Sequence, residues 1–254
     1  MSGATPRRTA PNPEARRRAA AVFQALAKRY PEAHCELNWK RPHELLIATI
    51  LSAQATDVAV NKATPGLFAA FPTPADFSRA TADQIAVHLQ TLNFWRMKAR
   101  AVQESMAVIC TRHSGQVPRT LAELVQLRGV ARKTANVVLG NAFEMSEGVV
   151  VDTHVLRLAR RFGLTRATTP EAVERDLMRL FPRERWCLLS HLLIFHGRRV
   201  CKARGATCDS DAICHKYCSN CSTNTPARCA ASATRAAASR RRPSTRPRPG
   251  RPAR

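Results

Sequence analysis

The chain has 254 residues, enough for one or two hydrophobic cores, with 41 Lys and Arg against 18 Asp and Glu and a pI of about 11.2. Taking the net charges of the Arg-rich ends (+4 over residues 1–18, +8 over residues 230–254) from the total of +23 leaves +11 for residues 19–229, so the folded part is itself basic and points to nucleic acid. The sequence contains no run of about 18 apolar residues, which argues against a membrane span, and the basic N-terminus lacks the apolar stretch of a secretory signal; a cytoplasmic setting alongside the nucleoid is expected.

The elements read as nearly all helix. Residues 14–29 carry apolar positions at Ala20, Val22, Phe23 and Leu26 and end before Pro31. His43 to Ala53 is apolar almost all round, as a buried central helix would be. Thr81-Ala-Asp-Gln84 and Thr120-Leu-Ala-Glu123 have capping-box form and open helices. Trp95 to His113 forms a helix between them. Next comes a tight turn at Gly129, which delivers Lys133 to the first turn of an apolar helix. The run Val149-Val150-Val151, too short to argue for a sheet, leads into Asp152-Thr153-His154. Thr169-Pro170 places a cap and an N1 proline before a helix reaching Leu180, and Ser190 to Val200 completes the set. From Ala230 onward the chain is Ala, Arg, Pro and Ser without core-forming residues, which predicts a disordered tail that binds phosphates non-specifically.

Six of nine cysteines fall between Cys201 and Cys229, with Cys35, Cys110 and Cys187 outside. Such clustering suggests a local metal site rather than a disulfide framework, which would spread its cysteines through a small domain. Thiolate sets suit both iron–sulfur clusters and zinc.

Lys133 and Asp152 carry the chemistry. A free lysine is a poor nucleophile at neutral pH, losing its proton only near about 10.4. A helix N-terminus, the neighbouring Arg132 and partial burial would all favour the neutral amine that attack requires. Backbone N–H groups of the turn and first helical residues can bind a phosphate. Asp152 could stabilise an oxocarbenium-like sugar and assist deprotonation of the amine, or serve only as an N-cap.

These residues resemble the endonuclease III family of helix-hairpin-helix DNA glycosylases. The family hairpin Leu-Pro-Gly-Val-Gly-x-Lys-Thr-Ala is matched by Leu127 to Ala135, and its Val-Asp-Thr-His by Val151 to His154. Glu44-Leu-Leu-Ile, Leu51-Ser-Ala-Gln-Ala-Thr-Asp57, Asn61-Lys-Ala and His196-Gly197-Arg198 before Cys201 extend the similarity over about residues 20–218. The resemblance implies an all-α fold of two domains: 35–146 with the hairpin, and 19–34 plus 147–229, with residues 1–18 a basic arm and 230–254 the tail. It implies a monomer acting on damaged double-stranded DNA, removing oxidised pyrimidines and then cutting the abasic strand. In that reaction Lys133 attacks C1′ and forms a Schiff base, with Asp152 assisting. Gln54 fills the space of the flipped nucleotide and Phe94 wedges from the other strand, while Gly129, Val130, Ala131, Arg132 and Thr134 hold the DNA backbone.

Two hairpin positions depart from the family. Arg128 replaces the proline, losing a rigid φ. Ala131 replaces the second glycine, at a cost of about 1–2 kcal/mol if that position is left-handed. The cysteines depart as well. The family holds a [4Fe–4S] cluster with C-x6-C-x2-C-x5-C; Cys201 and Cys208 match, but Asp211 and Tyr217 stand where the last two ligands would be. Cys201, Cys208, Cys214 and Cys218 form the expected ligand set, with Cys221 as an alternate and zinc as the alternative metal. Two other functions stay open: a non-catalytic DNA-structure-binding module, and a mismatch glycosylase, which would need a glutamate near Ala48 and no hairpin lysine.

Overall fold

The structure, a computed structural model, describes residues 12–204, 208–219 and 221. Among these there are twelve α-helices and no strand, in keeping with the all-α expectation. Of the arm expected over residues 1–18, residues 1–11 lie outside the described residues, as does the tail from 230, whereas Pro13 to Arg18 are helical as the start of α1, which Asn12 caps.

The helices α1 (Pro13–Arg29), α2 (Pro42–Leu51), α3 (Asp57–Ala70), α4 (Pro74–Arg79), α5 (Ala82–Ala86) and α6 (Trp95–Arg112) lead to the hairpin, formed by the short α7 (Leu121–Leu124) and α8 (Arg132–Ala142). Then come α9 (Thr153–Arg161), α10 (Pro170–Leu180), α11 (Trp186–Arg199) and α12 (Ala212–Tyr217). Most starts have a chemical cause. Thr56, Thr73, Thr81, Thr120, Asp152, Thr169 and Asp211 each accept a backbone N–H from the first turn that follows them. The reciprocal capping box is complete at Thr81–Gln84, and also at Thr73–Asp76, which opens α4 and was not anticipated. Helix α11 begins at Trp186, ahead of the anticipated Ser190.

Two buried clusters form. One gathers apolar residues between Leu37 and Leu139 around α2, whose residues His43 to Leu51 are all buried. The other joins α1 to residues from Val149 to Cys218. Helix α1 thus packs with the C-terminal helices, far from it in sequence. Close packing of α9 on α11 depends on Gly197, where a Cβ would lie 2.9 Å from His154 Nδ1 and 3.0 Å from His154 Cβ. That clash accounts for the glycine of the His-Gly-Arg motif.

Candidate active site and cysteine centre

Lys133 stands in the first turn of α8, after a turn that requires Gly129. Its φ is +79°, and a Cβ there would sit 3.2 Å from Ala101 Cβ and 3.4 Å from Ile50 Cγ2. Ala131 is different. It is the N-cap of α8 with φ −88° and ψ 170°, extended backbone that alanine adopts freely, so the expected left-handed penalty does not arise. Arg128 turns its guanidinium to Glu104, at 2.8 and 2.7 Å, and its carbonyl accepts from Ser105 Oγ at 2.8 Å. The turn therefore keeps its place on α6 without proline. No side chain caps α8, so its first amides remain open to an anion.

Lys133 is exposed, so the anticipated partial burial is not found. Arg132 is also not the free cation expected beside it. Its guanidinium engages Glu174 of α10 at 3.0–3.1 Å, and Asn136 Nδ2 donates to the same carboxylate at 3.2 Å. Gly148 makes room for this cluster, since a Cβ there would fall 2.0 Å from Glu174 Oε1. The hydrogen bond to Glu174 raises the guanidinium's pKa further, and the pair straps the start of α8 to α10.

Asp152 caps α9, its Oδ1 accepting the N–H groups of His154 and Val155 at 2.8 Å each. Upstream, Val150 N–H donates to Ser190 Oγ at 3.0 Å, fixing this segment on α11. Lys133 and Asp152 line one cavity of about 270 Å³ together with Gln54, Ala131 and Thr134. Its inner wall includes Asn141, Cys187 and His191; His191 Nε2 lies 2.8 Å from Asn141 Oδ1, and burial pushes its pKa down to about 4. Arg198 of α11, also on the cavity, pairs with Asp57 at 2.8 Å and with Glu36. This second strap joins α11 to the segment before α2 and to α3. Asn61 of the Asn-Lys-Ala motif is structural: it donates to Glu36 O at 2.8 Å and accepts from Asn38 N–H at 2.9 Å.

Gln54 has φ 53° and Phe94 φ 57°, left-handed conformations that are uncommon outside glycine. Phe94 is exposed and lies off the Lys133 cavity, in a neighbouring hollow that it shares with Gln54 and Gly129. Val130 is buried and lines neither hollow. Glu174, Asn136, Glu36 and His191 carried no local signal in the sequence, and the motif holding Arg198 did not point to Glu36 or Asp57, because these partners lie far along the chain.

In the C-terminal region Cys201, Cys208, Cys214 and Cys218 are all buried, and Cys221 is partly so. The sulfurs of Cys201, Cys208 and Cys214 lie within 4.8 Å of one another, and Cys218 is within hydrogen-bonding reach of Cys201. Those neighbouring thiols, together with Arg161 Nη1 at 3.0 Å, favour the thiolate at Cys201, which in turn pushes Cys208 and Cys214 up. His196 Nε2 lies 3.2 Å from Cys214 Sγ, while its Nδ1 is 2.9 Å from the Tyr30 hydroxyl. Asp211, in a family ligand position, caps α12 by accepting Cys214 N–H at 2.9 Å, and Tyr217 is buried with its carbonyl accepting from Arg18. A buried set of four thiols with cationic and N–H donors fits a tetrathiolate metal centre.

Residues 47–183 match the HhH-GPD superfamily of base excision DNA repair proteins. Endonuclease III of Synechocystis sp. is 45% identical over 200 residues, covering 79% of this chain and 91% of that protein. Endonuclease III of Escherichia coli is 39% identical over 192 residues, covering 76% and 90%. A trapped endonuclease III–DNA covalent intermediate superposes with a TM-score of 0.76 at 40% identity, over 80% of this chain and 95% of that one. A thermostable thymine-DNA glycosylase at 20% identity, with a TM-score of 0.68, shares the fold. The chain belongs to the endonuclease III family within the HhH-GPD superfamily.

Proposed function

We propose that this protein is a bifunctional DNA glycosylase and abasic-site lyase of base-excision repair that removes oxidised pyrimidines, with Lys133 as nucleophile. The observation that carries the reading is the shared cavity: an exposed lysine and a capping aspartate meet at a hollow bordered by Gln54, on a chain of charge +23. Damaged duplex DNA is the partner, held inside the cell by a monomer. The uncapped amides of α8, the Gly129–Ala131 turn and Thr134 grip a phosphate. Arg132 adds its backbone N–H, its side chain being committed to Glu174. Gln54 and Phe94 enter the duplex as the damaged nucleotide leaves the stack.

The amine of Lys133 then attacks C1′; the C1′–N bond breaks and its electron pair leaves with the base, which takes up a proton. Asp152 holds negative charge near the sugar as positive charge develops and accepts a proton from the attacking amine. Ring opening gives the imine between Nζ and C1′. This acidifies the C2′ hydrogen, and loss of that proton expels the 3′ phosphate. The domains we assign are 35–146 and 19–34 with 147–229; two separate buried clusters among the described residues support this division.

We assign a [4Fe–4S] cluster to Cys201, Cys208, Cys214 and Cys218, with Cys221 beside them; zinc is the alternative for the same donors. When bound, such a centre cross-links α11 to α12 and takes no part in base removal. Iron, sulfide and zinc content of the purified protein separates the two metals.

The test is a duplex carrying one oxidised pyrimidine. The wild type releases the base and cuts the strand, while Lys133→Gln loses both and keeps its fold and DNA binding. Base release without cutting by the wild type would refute the lyase half; binding without either activity would leave a recognition module.

A further inference from the structure

Lys98 is used by none of this chemistry, and its surroundings are anomalous. It lies in the first turns of α6, only 6% exposed, and among the described residues its Nζ has no hydrogen-bond partner. Burying an ammonium without a partner is costly, and a lysine stem is long enough to carry its head to water. Here the head stays under the surface, and Lys98 lines a hollow of about 290 Å³ shared with Gln54, Phe94, Met97, Ala101 and Gly129.

That hollow sits at a junction of elements already tied to DNA. Its floor is where the hairpin turn packs on α6 and α2, Gly129 lying against Ala101 and Ile50. Its rim holds two of the four described non-glycine residues with left-handed backbone, Gln54 and Phe94, joined through Asn93 Nδ2 donating to Gln54 O at 3.3 Å. Strained backbone of this kind concentrates at ligand clamps. Two large apolar side chains stand open at the same rim, Phe94 at 57% and Met97 at 68% exposure. The arrangement is an apolar lip for stacking over a single buried cation.

We infer that this hollow is a second DNA subsite, in which Lys98 donates to an oxygen of the nucleotide left unpaired when the damaged one is extruded. The inference rests on the reading of the chain as a DNA glycosylase. Phe94 and Met97 stack on that nucleotide, and the ammonium gains the acceptor that the free protein lacks. The acceptor is either a base carbonyl or a phosphodiester oxygen. Burial, which pushes the Lys98 pKa down in the free protein, gives way to a partner when DNA arrives.

The experiment compares full-length wild type with Lys98→Met and Lys98→Gln. Kd is measured by fluorescence anisotropy on duplexes with an uncleavable tetrahydrofuran abasic analogue opposite each of the four bases, at several salt concentrations. Melting temperatures are recorded in parallel. The expected result is a rise in Tm of a few degrees for Lys98→Met, since an unpaired buried charge is removed, with binding weakened about tenfold. A loss that varies with the opposite base identifies a base carbonyl. An equal loss against all four, with the salt slope reduced by about 0.9, identifies a phosphate. Unchanged affinity in either folded variant, or a fall in Tm for both, overturns the inference and makes Lys98 a structural residue. If the wild type itself fails to bind these duplexes, the glycosylase reading falls with it, whereas wild-type binding with indifferent variants sinks the subsite alone.

Discussion

The hairpin and the cysteine loop both depart from the family pattern, and they absorb the change in different ways. In the hairpin the demand is local. Gly129 is held at φ +79° against α6 and α2, whereas Ala131 is extended and Arg128 finds Glu104, so the tolerated changes are those that leave the one left-handed position alone. In the cysteine loop the demand is spatial. In the ligand set we propose, Cys214 and Cys218 stand in for the family positions 211 and 217, and α12 with its C-cap keeps both buried, as Cys201 and Cys208 are. A turn is specified by backbone angles at named positions; a metal site is specified by where the donor atoms end up.

Substitutions can break this contrast. The largest effect should come from Cys214→Ala, which removes a buried donor: metal content drops, and stability falls by about 4 kcal/mol in denaturant unfolding of the intact protein. If metal content stays full with stability unchanged, Cys214 is not a ligand. Gly129→Ala should cost about 1–2 kcal/mol for the left-handed position alone. Abasic-DNA binding should weaken with it, and a neutral result would show that the turn tolerates a side chain. Asp211→Cys, which restores the third cysteine of the family spacing, should destabilise by about 1 kcal/mol through loss of the α12 cap, with metal stoichiometry unchanged. A stabilised variant with a changed ligand set would instead show that spacing governs. Smallest of all, Ala131→Gly should shift stability by no more than about 0.5 kcal/mol and add no activity, because the backbone there needs no glycine.

Much of this was legible in the sequence where the cause is local. The threonine caps at residues 81, 120 and 169, the glycine turn before Lys133 and the apolar band of α2 are short-range features, and each was readable from spacing alone. Other local features escaped. Thr73–Asp76 is a complete capping box that opens a helix of six residues, too short to show a periodic apolar face. The start of α11 at Trp186 lacks a side-chain cap, and therefore any sequence mark of where it begins. Long-range ties were invisible in principle. Arg132 and Glu174 are 42 residues apart, Arg198 and Glu36 are 162 apart, and each strap exists only because the two clusters meet. The same holds for Lys98: its conventional place in an amphipathic helix gives no hint that its head is buried without a partner.

The most direct test of the account is borohydride trapping on a duplex with a single abasic site, comparing wild type with Lys133→Ala. A covalent protein–DNA adduct is expected with the wild type and none with the variant, both proteins being folded and able to bind the duplex. An adduct that persists in Lys133→Ala, or a wild type that binds the abasic duplex yet cannot be trapped, would contradict the assignment of Lys133 as the Schiff-base nucleophile.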